Sequence, residues 1–385
     1  MSKKKVYGII LTLVMFSMLA LASNVQPVKA IQTIYILADG SISPPSAPIQ
    51  RNGNLYTLTG NITISDIYSE GIVVQKDNII IDGAGYTLEG PYSYSGYGQG
   101  LNLTNVGNVT IKKVNIKGFD DGIWFRSSPQ CHVFKNNISN NGYGIRGAYN
   151  LNITISENSI TNNVLGMSLS ESSNIVISGN NVSAQSNYGI RLVYYLSSSI
   201  TGNSITNNAN GLVIIESSNI TICGNDIRVN TLFDTFFGFV SNSSIYHNNF
   251  VNSAHVSIID SVNVWDNGYP SGGNYWSNYS GVDLYRGSGQ NETGCDGIGD
   301  TPYAIDEDNQ DNYPLMKPYG TWLLGDSDFD SDIDEDDLWY FCEAFIDYYE
   351  IHVKDSLCDF DNDCDIDEDD LWTMCEAFID YWKHH

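Results

Sequence analysis

Three groups of residues have types and spacings suited to chemistry. Asp326, Asp328, Asp330, Asp332, Asp334 and Asp337 place carboxylates at loop positions 1, 3, 5, 9 and 12, with the Asp332 carbonyl available at position 7. The same set returns 33 residues later as Asp359, Asp361, Asp363, Asp365, Asp367 and Asp370. Ca2+ takes about six to eight oxygens in a tight loop, so two calcium sites are expected. The second group holds carboxylates that could move protons: the adjacent Asp120 and Asp121, and the more distant Glu171 and Glu216. The third comprises two series at a fixed interval, Tyr149, Glu171, Tyr194, Glu216, Phe239 and Trp124, Arg146, Ser168, Arg191, Val213. Aromatic faces beside charged hydrogen-bonding groups suit a sugar chain. Trp124, Arg146, Tyr149, Glu171, Arg191, Tyr194 and Glu216 are therefore candidate polysaccharide contacts.

The interval comes from a repeat that must position these side chains. Gly122, Gly144, Gly166, Gly189 and Gly211 are separated by 22, 22, 23 and 22 residues. Asn136, Asn158, Asn180, Asn203, Asn225 and Asn248 follow the same spacing and share its one-residue slip, which marks a structural period. Each unit holds short apolar alternations such as Ile153/Ile155 and Ile175/Ile177, with no amphipathic helical stretch. One unit cannot bury its apolar face alone, whereas units stacked at about 4.8 Å form a continuous core. The predicted fold is all-β, a right-handed parallel β-helix, with the asparagines stacked as a structural ladder. On that lattice Glu171 and Glu216 stand two rungs apart, about 9.6 Å, near the upper limit for an inverting carboxylate pair. Asp120 and Asp121 precede Gly122 on a turn, where such a pair could serve a hydrolase or hold calcium for a lyase.

Two resemblances extend this reading. The stretches 38–62 (ADGSISPPSAPIQRNGNLYTLTGNI) and 78–90 (NIIIDGAGYTLEG) resemble the N-terminal part of secreted NosD-like β-helix proteins. The stretches 265–285 (WDNGYPSGGNYWSNYSGVDLY) and 296–316 (DGIGDTPYAIDEDNQDNYPLM) are similar to that family's closing segment. The resemblance covers residues 31–318 and implies either copper binding or carbohydrate binding and sugar hydrolysis. Copper prefers His, Cys and Met, and His132, His247 and His255 form no H-x-H spacing. Each acidic loop opens a predicted helix, with Leu338, Phe341, Cys342, Phe345 and Ile346 on one face and Leu371, Met374, Cys375, Phe378 and Ile379 on the other copy's. This doubled loop-helix over 323–382 resembles the type I dockerin, which implies two bound Ca2+ and a cohesin-like scaffold partner. Ser331 and Cys364 stand where glycine is usual at loop position 6.

Charge and address complete the reading. The chain has 385 residues, with 45 acidic against 18 basic and a net charge of -27. Residues 326–385 carry 22 of the acidic and 2 of the basic ones, leaving the body close to neutral. That balance excludes nucleic-acid binding through a basic field. Residues 1–30 read as a signal peptide: Lys3 to Lys5, the apolar run from Ile9 to Ala22, then Val28-Lys29-Ala30. No later segment is apolar enough to span a membrane, so the expected location is secreted or at the cell surface. There, ten Asn-x-Ser/Thr sequons permit glycosylation. The expected units are 31–265 (β-helix with N-terminal cap), 266–320 (closing segment) and 321–385 (calcium module). Cys342, Cys358, Cys364 and Cys375 could form two disulfides, a Cys342–Cys375 bridge among the options, whereas Cys131, Cys223 and Cys295 are expected as lone thiols. The functions these features imply are polysaccharide binding with dockerin-type attachment, a polysaccharide lyase or glycoside hydrolase, or a structural surface protein.

Overall fold

Three-residue runs with one apolar side chain in the middle set the pattern of every coil. In Asn115–Lys117, Asn137–Ser139, Ser159–Thr161 and Asn181–Ser183 the central Ile116, Ile138, Ile160 and Val182 are buried, and their flanks face out. These strands pair in parallel and in register, Ile116 on Ile138 on Ile160 on Val182. The structure, a computed structural model, describes residues 30–91, 98–251, 256–320, 342 and 370–376. One sheet of eleven strands runs from Ala30–Ile31 to Tyr275–Trp276, and a nineteen-stranded sheet forms the other walls. The described body is thus an all-β, right-handed parallel β-helix. Ala30, the last residue of the predicted leader, already pairs with Thr63. Residues 1–29 lie outside the described residues, as do most of 321–385.

Corners explain the ladder. In the coil from 121 to 142, Ser127, Gln130, Lys135 and Asn140 all have left-handed backbone, with φ between 52° and 59°. The residue after each turns inward, so Ser128, Cys131, Asn136 and Asn141 are buried. A buried carboxamide there answers both neighbouring coils. Asn136 Nδ2 donates to Asn158 Oδ1 (3.0 Å) and to the Ile111 carbonyl (3.0 Å), while its Oδ1 accepts the Val114 N–H (3.0 Å). The series continues through Asn158, Asn180, Asn203, Asn225, Asn248 and Asn274. A second, parallel ladder of Asn141, Asn163, Gln185, Asn208 and Asn230 runs along the next corner. Each ends on a carboxylate: Asp311 accepts from the Asn274 and Trp276 N–H groups (2.7 and 2.9 Å), and Asp234 from Asn230 (2.9 Å). Burial pushes the Asp311 carboxyl up to about 6, against the pull of those donors.

The glycine series has a different cause. Gly122, Gly144, Gly166 and Gly189 have ordinary φ, but a Cβ on any of them would stand 2.5–2.7 Å from the carbonyl oxygen of the glycine one coil on. Close approach, not turn geometry, excludes a side chain here.

Both ends of the stack are closed. At the N-terminal end the antiparallel pairs Ile34–Ile36 with Ile42–Ser43 and Ile49–Asn52 with Leu55–Leu58 cover the first coils. At the other end aromatic rings replace the aliphatic columns: Phe250 stacks on Trp276 (4.4 Å), Trp276 on Tyr303 (4.3 Å), and Phe237 meets Trp265 (5.6 Å).

The cysteine expectations need two corrections. Cys131 and Cys223 are free, but Cys295 is disulfide-bonded and not a lone thiol. It lies in the irregular closing segment, where no rung spacing holds it away from a partner. Cys342 and Cys375 are both free and exposed, so no bridge joins these two duplicated positions. Helix 370–376 buries Met374 but leaves Leu371 and Cys375 exposed, so the predicted apolar face is only partly buried. No helix among the described residues is long and apolar enough to cross a membrane.

Candidate functional site

The residue before each close-packed glycine occupies one column on the outer wall. Strand pairing puts Gln99 against Asp121 and Asp121 against Tyr143, and Glu70, preceding Gly71, stands on the coil before Gln99. The neighbouring column runs Asn102, Trp124, Arg146, Ser168, Arg191, Val213 in register. The two columns meet around Arg146. Its guanidinium lies over Trp124 (5.0 Å) and Tyr143 (4.8 Å), and one nitrogen is 3.7 Å from Asp121 Oδ1. At that length the contact is Coulombic and not a hydrogen bond.

Asp121 is only 5% exposed. Burial pushes its carboxyl up to about 6, with Arg146 opposing and the Asp120 charge reinforcing the rise. Such a group keeps or yields a proton near neutral pH, as a general acid must. Asp120 accepts the Gly98 N–H (3.2 Å). The other carboxyl of this column is Glu70, half-buried, held by Asn102 Nδ2 (3.1 Å) and likewise raised by burial. Two rungs, about 9.6 Å, separate the Glu70 and Asp121 backbones.

A second exposed column lies along the next corner: Tyr149, Glu171, Tyr194, Glu216 and Phe239, one per coil. Hydrogen bonding with Glu171 raises the Tyr149 phenol, and the Glu216 charge raises that of Tyr194. Arg126 lies over Tyr149 (5.7 Å), and Arg191 over Tyr188 (6.0 Å). The structure therefore brings Trp124, Arg146 and Asp121 together and sets Glu171 and Glu216 apart on the exposed corner. Val213, expected to face outward, is buried: it packs in the long strand Asn210–Cys223, near the apolar end of the stack. The calcium residues from Asp326 to Asp367 fall outside the described residues. Asp370 is described, fully buried at the start of helix 370–376.

Sequence reasoning missed Glu70, Gln99, Asn102 and Tyr143. The signal was present, since Glu70, Gln99, Asp121 and Tyr143 each precede a glycine. Glu70 lies 29 residues before Gln99, ahead of the point where the interval settles at 22, so spacing alone does not align it.

Among solved structures the chain is similar to the enzymatically active domain of tailspike protein 2 from bacteriophage CBA120. The identity is 16% and the TM-score 0.43, over 56% of this chain and 42% of that one. The A-module of the Azotobacter vinelandii mannuronan C-5 epimerase AlgE4 gives 14% and 0.31, over 54% and 74%. Endopolygalacturonase I from Stereum purpureum gives 15% and 0.35, over 55% and 67%. The chain thus spans less than half the length of the tailspike domain. None of the curated proteins matches it. Residues 70–281, more than half of the chain, match a family model, and this span contains Glu70, Asp121, Arg146 and the whole exposed column. The chain belongs to the family described as periplasmic copper-binding protein (NosD).

Proposed function

We propose that the protein binds polysaccharide along the outer wall carrying Trp124, Arg146 and Arg191, and is held at the cell exterior through its acidic C-terminal unit. The observation that carries this reading is the register, which brings an aromatic ring, a guanidinium and a buried carboxyl together on successive coils. Rings at rung spacing suit the apolar faces of sugars, and the fixed guanidinium suits their oxygens. A secreted or periplasmic location agrees with the family's description. Copper does not fit the donor set. Among the described residues no three His, Cys, Asp or Glu side chains converge. His132 is exposed, and His247 Nε2 lies 2.7 Å from the Ser271 carbonyl, with its ring stacked on Tyr319.

A second reading, polysaccharide lyase or glycoside hydrolase, is favoured by Asp121 and Glu70, the two carboxyls of this column, both with raised proton affinity. One experiment separates the readings: the secreted chain is incubated with a panel of neutral and acidic glycans. Retention without product, weakened about tenfold or more by Trp124→Ala, is expected for binding. Release of reducing ends or unsaturated sugars that stops in Asp121→Asn would make the protein an enzyme. Neither result would leave a structural role.

The attachment unit is proposed to hold two Ca2+ and to engage a cohesin-like scaffold. Its support is the duplicated carboxylate spacing and the fully buried Asp370, the twelfth position of the second loop, at a helix start. Calorimetric titration of the full chain is expected to show two calcium equivalents. A single equivalent or none would overturn this part.

A further inference from the structure

The left-handed corners of the β-helix are filled by asparagine and glycine at many coils and by larger residues at others. One corner carries Asn108, Gln130, Asn152, Asn174, Ser197, Asn219 and Asn242, and another Lys113, Lys135, Glu157, Gly179, Gly202, Gly224 and His247. Asn and Gly tolerate this conformation, and larger side chains resist it. One corner carries aromatic and acidic side chains in alternation over five successive coils: Tyr149 (φ 59°), Glu171 (48°), Tyr194 (60°), Glu216 (49°) and Phe239 (57°). These side chains do not repay the strain by burial, since Tyr149, Tyr194 and Phe239 are 50%, 51% and 55% exposed. Strain kept at an exposed, ordered position points to use.

The alternation gives the use a chemistry. Aromatic rings recur every second coil, about 9.6 Å apart, and a carboxylate stands between each pair. Each tyrosine thus has the carboxylate of the next coil beside it, Glu171 after Tyr149 and Glu216 after Tyr194. A ring offers stacking to the apolar face of a sugar, and the next carboxylate offers acceptors to the hydroxyls of the following sugar. The carboxylates also repel an anionic chain. We infer that this ridge binds an extended, uncharged polysaccharide, lying parallel to the β-helix axis, in which every second sugar presents the same face.

The inference rests on the polysaccharide reading above and names its ligand. It is tested on the full chain by calorimetry with cello-oligosaccharides of increasing length and with oligogalacturonates of matched length. Expected is tighter binding of the neutral oligomers, improving in steps of two sugars. Tyr194→Gly, which relieves the backbone, is expected to leave the melting temperature unchanged or raised while weakening binding at least tenfold. A lower melting temperature with unchanged binding would show the tyrosine to be structural and overturn the inference. Preference for the oligogalacturonates would also overturn it while leaving the polysaccharide reading intact, and failure of both oligomers to bind would remove the inference and that reading together.

Discussion

Replacing Asn180 by leucine is expected to destabilise the β-helix by about 4 kcal/mol, the largest effect of any single substitution on its body. Asn180 donates to Asn203 Oδ1 and to the Ile155 carbonyl, both at 2.9 Å, and accepts from Asn158 through its backbone N–H (3.0 Å) and Nδ2 (2.9 Å). Leucine fills the space but leaves these partners buried and unanswered. Each such group costs about 1–3 kcal/mol, and Asn158, Asn180 and Asn203 are all buried. At this chain length the loss corresponds to a fall in melting temperature of roughly 5 °C. Asn181, the next residue, faces solvent, and its replacement by alanine should stay within about 0.5 kcal/mol. Equal effects at the two positions would show that the ladder contributes nothing beyond ordinary strand pairing.

Gly166→Ala is expected to cost about 3 kcal/mol, near the upper end for overpacking. The added methyl would lie 2.5 Å from the Gly189 carbonyl oxygen and 2.9 Å from Val182 Cγ1. The first neighbour is backbone held in the sheet, so it cannot yield without opening a rung. Gly202→Ala is the matched control. Gly202 has φ 61° and nothing within 4 Å of the added methyl, so only the left-handed penalty applies, about 1 kcal/mol. Urea midpoints of the two variants separate crowding from backbone preference, and a larger loss at Gly202 would reverse the assignment.

The period was legible because Asn and Gly recur in the two series that set it, each for a specific physical reason, and the stack follows from the period. The second ladder escaped notice because Gln185 interrupts its asparagines, although a longer carboxamide serves the same bonds. The aromatic closure was hidden for the opposite reason. Trp265, Trp276 and Tyr303 converge through an irregular segment whose spacing obeys no interval. Of the site, the aromatic and cationic columns could be read from spacing, but the burial of Asp121 could not. That burial depends on Tyr143 and Arg146 folding over it from the following coil, a matter of side-chain direction that spacing does not encode.

The two asparagine ladders have a direction. In the first ladder every carboxamide oxygen accepts from the N-terminal side and every Nδ2 donates to the carboxamide on the C-terminal side, so interior coils are interchangeable links. A duplicated coil spliced between Asn158 and Asn225 would arrive with its polarity already matched, and the protein could lengthen in evolution without new invention. Asp234 and Asp311 take hydrogens and pass none on, so each acts as a terminus. The same two carboxylates that finish the fold deny a second molecule the means to continue it, and growth by internal duplication is thereby uncoupled from growth into fibres.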